Sequence, residues 1–550
     1  MAGHRLAQRI AFYEFGRKSL KDLLRLSDLP LTESQPLRQL AYIESYLQTL
    51  GCKSVVLEQH YIDRDHMEDH SVFYSRNLVS PPNHCRRLHF FDISRNEVHE
   101  ELNLLLQKAS TSSEDFTQSC LQFSRTHYQG FSVIRPLPGS PVGRTVLLCF
   151  PDKSDDGSIR RFDCARVYRA HLMGVELVVR GLAFQQQDVG VSACATTALW
   201  SALSKVRDFE DIGSATPAQI TAMASRNSLP YGRAMPSEGL SIDQMCQAVQ
   251  AVGVAPELLR VFAKRSGSKI ALLARSYLFS ATASGIAPVL ILQRGSDSSA
   301  HAVTVVGMRL LDSRNQTLLT DRTHDRANDL QALYVHDDRV GPGVRADIIP
   351  RSRNLALHLR VYHEAGKRSR YETWNLMYIL VPLHQKIRFS FAGLRDIGLR
   401  VVAEAHAARD FLATVGRVPS DRTLTVENWV LRSTTYVDKL LVTPGLAELS
   451  RVRFLCKRIP LPRYVGVIRV TAKSGMDSID VLLDTTSTRR NPNVIGVLPL
   501  KGDNPETRFI ASWIAKQTSC LAIAPRVRVP RAGVAHRRRQ PPRQRPSGSS

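Results

Sequence analysis

The chain has no CxxC pair. Its nine cysteines stand at 52, 85, 120, 149, 164, 194, 246, 456 and 520, an odd number at irregular spacing, which argues against both a disulfide framework and a zinc ribbon. Also missing is any run near the roughly 18 consecutive apolar residues that a membrane helix needs. The opening MAGHRLAQRIAFYEFGRK holds no uninterrupted apolar signal core, so a cytoplasmic protein without membrane partners is expected. The sequence contains no GxxxxGK[ST] phosphate loop, no helix-turn-helix spacing, no RNA-recognition aromatic signature and no internal repeat, which leaves no cofactor or sequence-reading nucleic-acid module announced.

Acids are scarce at one end. From Ala524 the last 27 residues carry eight arginines and no acid, so that of the formal net charge of +24 a balance of +16 belongs to the rest. A basic surface draws acidic partners, nucleic acid or an acidic protein, by long-range attraction, and charge alone distinguishes neither. The tail PRVRVPRAGVAHRRRQPPRQRPSGSS has too little apolar surface to offset ordering entropy, and disorder is expected over 524–550.

What is present suits a globular protein: 550 residues with 43% hydrophobic content, enough for about three domains at roughly 100–200 residues each. In residues 1–180, ESQPLRQLAYIESYLQTLG offers Ser34 as a cap, Pro36 in the first turn, apolar Leu37, Leu40, Ala41, Leu47 and Leu50, and Gly51 as a stop. KSVVLEQHYI and RRLHFFDI read as strands, EVHEELNLLLQK as a helix, and FSVIRPL, RTVLLCF and VELVVRGLAF as further strands. Residues 181–383 place helices first, from Cys194 to Val206, then SEGLSIDQMCQAVQAVG and KIALLARSYLFS, followed by the strands PVLIL, HAVTVVGMRLL and ALYVHD. Residues 384–523 mix the helix GLRVVAEAHAARDFLATVG with the strands RYVGVIRV, SIDVLLDTT and NVIGVLPL.

The informative stretch is QQQDVGVSACATTALW, residues 185–200. Beyond Cys194, Ala195, Ala198, Leu199, Ala202, Leu203 and Val206 form one buried helical stripe. GVSA makes the loop into that helix, with Ser192 as a candidate cap, so the sulfur sits at the positive end of the helix dipole, where a thiolate is stabilised. Alone, such a cysteine is more often a small core residue. A nucleophile also needs a base and a group to orient it. His301 opens the strand HAVTVVG and shares a face with Val303 and Val305, a position from which an imidazole faces a cleft while the valines fill the core. ALYVHDDRVGPG then ends a strand in Asp337 and Asp338, either of which is placed to accept from the other imidazole nitrogen.

These residues resemble the papain-like cysteine peptidases, with the pattern closest to the bacteriocin-processing double-glycine peptidases, over Gln185 to about Val381. The resemblance implies an α+β fold in which a helix carrying the cysteine packs on an antiparallel sheet carrying the histidine and aspartate, flanked by N-terminal and C-terminal α/β domains. It implies Cys194 as nucleophile, His301 as base, Asp337 as orienter and Gln187 as oxyanion donor beside the nucleophile's N–H. The implied activity is a cysteine-dependent hydrolase, a peptidase or isopeptidase working through an acyl-enzyme on a protein or peptide substrate, with no metal. A transglutaminase-like thiol acyltransferase differs only in the acceptor that reaches the acyl-enzyme. From another class stands a non-catalytic papain-like scaffold with a basic, nucleic-acid-binding surface.

The chain departs from the family at several positions. The family glutamine stands six residues before the cysteine, where this chain has Asp188; Gln187 is seven before and needs a one-residue bulge near Gly190, and Gln185 and Gln186 remain alternatives. Ala193 and Ala195 replace a glycine beside the nucleophile, and Asp338 replaces the proline after the orienting aspartate. The transporter fused to double-glycine peptidases has no counterpart here, so export is not implied.

Three weaker signals remain. His66-Met-Glu-Asp-His70 sets two imidazoles at i and i+4 like an HxxEH zinc motif, but Asp69 stands where the glutamate belongs and the segment reads equally as solvated polar helix. His336 ranks behind His301 as base, because alternation turns it to the opposite strand face. VLLDTTSTRRNPN suits phosphate contact, although it reads first as a strand-to-loop exit.

Overall fold

Gly51, held at φ +75°, ends the first long helix as its position in the sequence demands, and similar punctuation divides the rest of the chain. The structure, a computed structural model, describes residues 10–17, 19–25, 38–109, 112–137, 139–153, 157–188, 190–191, 193–207, 213–227, 235–236, 239–261, 267–294, 300–311, 322–349, 358–362, 371–415, 423–441, 461–472, 478–487, 494–500 and 504–521. Ser34, Pro36, Leu37, Ser192 and the arginine-rich tail lie outside them.

The first layer contains β1 (Ile10–Glu14), α1 (Leu20–Arg25), α2 (Arg38–Thr49), β2 (Ser54–Tyr61), α3 (Arg64–Val72), β3 (Cys85–Phe91), α4 (Arg95–Ala109), α5 (Ser113–His127), β4 (Tyr128–Ile134) and β5 (Val142–Leu147). Its five strands form one antiparallel sheet in sequence order. The expected helices and strands appear there. Next come β6 (Ile159–Arg161) and a hairpin of β7 (Arg166–Leu172) and β8 (Val175–Gly181). Met173 and Gly174 both take positive φ between the hairpin's strands, the requirement of a two-residue turn that matches strand twist.

The middle layer opens with α6 (Cys194–Val206), α7 (Pro217–Ala224), α8 (Ile242–Ala251), β9 (Ala255–Arg260) and α9 (Gly267–Ala283). It continues with β10 (Val289–Gln293), β11 (Ala300–Leu310), β12 (Thr323–Asp325), β13 (Leu330–Asp337), β14 (Gly341–Ile349), β15 (His358–Tyr362) and β16 (Tyr371–Leu383). Strand order runs β10-β11-β13-β14-β15-β16, and β16 pairs back onto β10, so six antiparallel strands close into a ring. Helix α6 lies across this ring: Ala195, Ala198, Leu199, Ala202 and Leu203 share a core with Val289, Ile291, Ala302 and Val306. Thr304 Oγ1 donates to Ala198 O at 2.6 Å and pins helix to strand.

The last layer holds α10 (Phe391–Thr414), β17 (Leu424–Arg432), α11 (Ser433–Leu441), β18 (Tyr464–Ala472), β19 (Ser478–Asp484), β20 (Val494–Pro499) and α12 (Pro505–Leu521). The fold is α+β. Its sheets are antiparallel throughout the described residues save one parallel pairing, β12 with β17. That pairing, and the pairing of β6 with β11, carry strands across both expected boundaries. The cores follow suit: one apolar cluster runs from Val56 to Leu380 and another from Val261 to Ile514. Among the described residues no helix is long and apolar enough to cross a membrane.

Candidate functional site

Helix α6 begins at Cys194 itself, with Ala193 as a cap that has extended dihedrals and gives no side-chain hydrogen bond. Ser192, the cap expected from the sequence, lies outside the described residues. What shapes the approach to the helix is Asp188. Its Oδ1 accepts from the N–H groups of Gly190 at 2.9 Å and Val191 at 2.6 Å, and its Oδ2 stands 3.3 Å from Arg135 Nη1, with both side chains 2% exposed. Arg135 further donates to Ser140 O and Gln186 O. Where the resemblance has a glutamine, this chain has a buried ion pair that ties the loop to the first sheet.

His301 is the second residue of β11 and Asp337 the last of β13; the strands are antiparallel neighbours, so the start of one meets the end of the other. His301 Nε2 donates to Asp337 Oδ1 at 3.0 Å, and Asp338 Oδ1 lies 3.5 Å from the same nitrogen. Cys194 lies near enough to act on the His301 imidazole and lines the same cavity, and with Nε2 committed to the acid, Nδ1 is the nitrogen left to face sulfur. Burial alone would pull the His301 imidazolium down, but the Asp337 charge, its hydrogen bond, the Cys194 side chain and Asp338 outweigh it and hold the group up at about 10. Burial works against the Asp337 carboxylate too, and the imidazolium beside it prevails, lowering it to about 2. Asp338 goes the other way: desolvation dominates, helped by Asp337 and opposed by His301, and its carboxyl is raised to about 7.

The acid-bearing turn is braced from afar. Gln39 Nε2 on α2 donates to Asp338 O at 3.1 Å. Tyr42 packs so closely on Gly341 that a Cβ there would stand 2.2 Å from its ring, and Tyr46 lies over Gly343, which takes φ +65°. The Trp374 ring backs His301 at 5.6 Å between centroids.

Cys194 and His301 open onto one cavity of about 1160 Å³. Gln187 is exposed and lines it. Gln186 also reaches the cavity, but its amide is engaged with Val142 N and Gly139 O; Gln185 is buried at 2% exposure and is not part of the lining. Gln39, Gly139, Ser140, Leu240, Ile242 and Met377 also line the cavity. The sequence matches no protein-family model and no curated protein. The functional reading therefore rests on this geometry.

The other sequence candidates separate from the site. His66 and His70 do lie on one helix, but each Nε2 bonds a carbonyl, Pro82 O and Pro81 O, at 3.0 Å. Asp69 accepts from Ala218 N, so the three groups serve neighbouring backbone and no ligand set forms. His336 bonds Leu182 O and Gly343 N with its two nitrogens, and burial lowers it to about 4: it is a neutral structural residue. In VLLDTTSTRRNPN, Asp484 Oδ1 accepts from Thr486 N at 2.9 Å, a local turn that ends β19; Arg489 and Arg490 lie outside the described residues. Sequence reasoning missed Gln39, Arg135 and the positional role of Asp188. Arg135 carried a signal only as an arginine inside an apolar strand context, and its partner is 53 residues away.

Proposed function

We propose that the chain is a cysteine-dependent hydrolase with a papain-like core, cleaving a peptide or isopeptide bond of a protein or peptide through an acyl-enzyme. The observation that carries this reading is the meeting of a helix-start thiol, a strand-mouth imidazole and a buried carboxylate at one accessible cavity. Selectivity among thiols supports it: burial raises Cys52, Cys85, Cys120, Cys149, Cys164 and Cys246, whereas the half-buried Cys194 has the imidazole beside it.

In the proposed reaction His301 Nδ1 takes the thiol proton and Sγ attacks the carbonyl carbon, whose π pair moves to oxygen. That oxyanion is received by the Cys194 N–H at the helix start and the Gln187 amide. Collapse expels the amine, which leaves with the proton held on His301, and a thioester remains. Water, giving its proton to His301, attacks the thioester; Sγ departs and the acid is released. Asp337 holds the imidazole in the tautomer whose Nδ1 faces sulfur.

Labelling of the full chain with an acyl-electrophile probe, read by mass spectrometry of the Cys194 peptide, tests this. Wild type labels at Cys194, Cys194→Ala does not, and His301→Ala labels slowly. Equal labelling of wild type and His301→Ala, or preferential labelling of another cysteine, overturns the proposal.

A further inference from the structure

We infer that His301, Asp337 and Asp338 form a divalent-cation site whose occupation switches the thiol centre off. The switching rests on the proposed thiol chemistry, while the binding does not. The ligand atoms of the three side chains lie within 4.8 Å of one another. His301 Nε2 is 3.0 Å from Asp337 Oδ1 and 3.5 Å from Asp338 Oδ1. Donors held at about 2.1 Å by one first-row cation stand about 3.0–3.4 Å apart along the edges of an octahedron or tetrahedron. The spacing suits a shared cation with little movement of either strand.

The second observation is Asp338. Its residue is 4% exposed, yet neither carboxylate oxygen accepts a hydrogen bond from another described residue, and Asp337 Oδ2 accepts none. Buried carboxylate oxygens without donors are costly, and the usual remedies are a paired cation or a metal. The Nε2 proton of His301 is directed to Asp337. Arg339, the other nearby cation, has Nε 3.7 Å from Asp337 Oδ1, while its Nη2 bonds Glu372 Oε2 at 3.4 Å and its guanidinium lies 4.9 Å from the Trp374 ring; neither oxygen of Asp338 receives a hydrogen bond from it. An orienting role in a triad needs one carboxylate; the second has no part in it.

One imidazole nitrogen with two carboxylate oxygens suits Mn²⁺, Fe²⁺ or Zn²⁺ better than a thiophilic ion, and two carboxylates balance the cation's charge. The cation takes the place of the Nε2 proton of the neutral imidazole, and that proton moves to Nδ1, the nitrogen left to face Cys194. It then has no lone pair for the thiol proton, and attack by sulfur stops.

Mn²⁺ is the probe, because thiols bind it weakly and the chain has nine. Full-length Cys194→Ala is titrated with Mn²⁺ and free ion is followed by electron paramagnetic resonance. One ion per chain binds, and Asp338→Asn or His301→Ala weakens it about tenfold or more, with melting temperature verifying that each variant is folded. In wild type, saturating Mn²⁺ slows alkylation of Cys194 about tenfold or more and chelation restores it; Asp338→Asn alkylates at one rate with and without the ion. Failure of Cys194→Ala to bind Mn²⁺, equal affinity in Asp338→Asn, or alkylation indifferent to bound ion overturns the inference. An unreactive Cys194 in metal-free wild type overturns the hydrolase reading instead, and leaves the Mn²⁺ titration to judge the site by itself.

Discussion

Replacing Asp188 by asparagine keeps the shape of the side chain and removes its charge, stranding Arg135 in the interior. At their 3.3 Å separation the pair attracts by about 5 kcal/mol at an effective dielectric constant of about 20. Desolvation of both groups offsets much of that, and removal of one partner from a buried pair costs about 3–5 kcal/mol. Arg135 retains Ser140 O and Gln186 O as acceptors, and Asp69 lies close enough to sense both charges. These place the cost of Asp188→Asn at about 3 kcal/mol. Asp188→Ala also deprives Gly190 and Val191 of their acceptor and loses about 1–3 kcal/mol more. Urea unfolding at a common slope reads the ladder. The double variant Arg135→Met with Asp188→Asn leaves no charge stranded and is more stable than Asp188→Asn alone. The reasoning is refuted if Asp188→Asn costs under about 1 kcal/mol, or if the double variant merely adds two losses. Alkylation of Cys194 falls along the same ladder, because the loop sets where the helix begins.

Glu257 tests the fold apart from the site. Burial raises its carboxyl from 4.5 to about 7, against hydrogen bonds from Tyr277 and Phe391 N, so the folded chain holds this proton more tightly than the unfolded one. Its contribution is present below pH 4.5 and is lost as pH rises through about 7, a fall of about 3 kcal/mol. Glu257→Gln flattens that slope and exceeds wild type in urea midpoint at pH 8; a parallel pH profile for both proteins contradicts it. Gln187→Ala slows the acyl probe about 100-fold, whereas iodoacetamide, which generates no oxyanion, alkylates Cys194 at its former rate. Equal slowing of both reagents places Gln187 outside the oxyanion role.

Local pattern carried much of this molecule. The 3.6-residue stripe after Cys194 marks α6 over its whole length, and alternation after His301 separates Val303 and Val305 from Ala302 and Val306. Helix α5 escaped notice because SEDFTQSCLQFSRTH is mostly polar, and only Cys120, Phe123 and Ser124 are buried. Non-local facts were not legible. Nothing near Val289 announces its pairing with Leu380 that closes the ring, and nothing near Asp188 points to Arg135. The choice between Asp337 and Asp338 also needed geometry, since a strand end fixes which acid points along Nε2 only once the twist of β13 is set. Strands β6 and β12 are three residues each, too short for alternation to register, and their partners lie in other layers.

Gln39 reaches across 299 residues to the turn that carries the acids, with Tyr42 and Tyr46 pressed on the glycines just beyond it. A ribosome delivers the helix with these side chains long before the hairpin it supports. Tyr46 meets Leu148 O and the Phe150 ring on the way, but the imidazole acquires its braced carboxylate only after residue 338 has been made. Competence is thus a late event in the life of each molecule, governed by a helix made long before it.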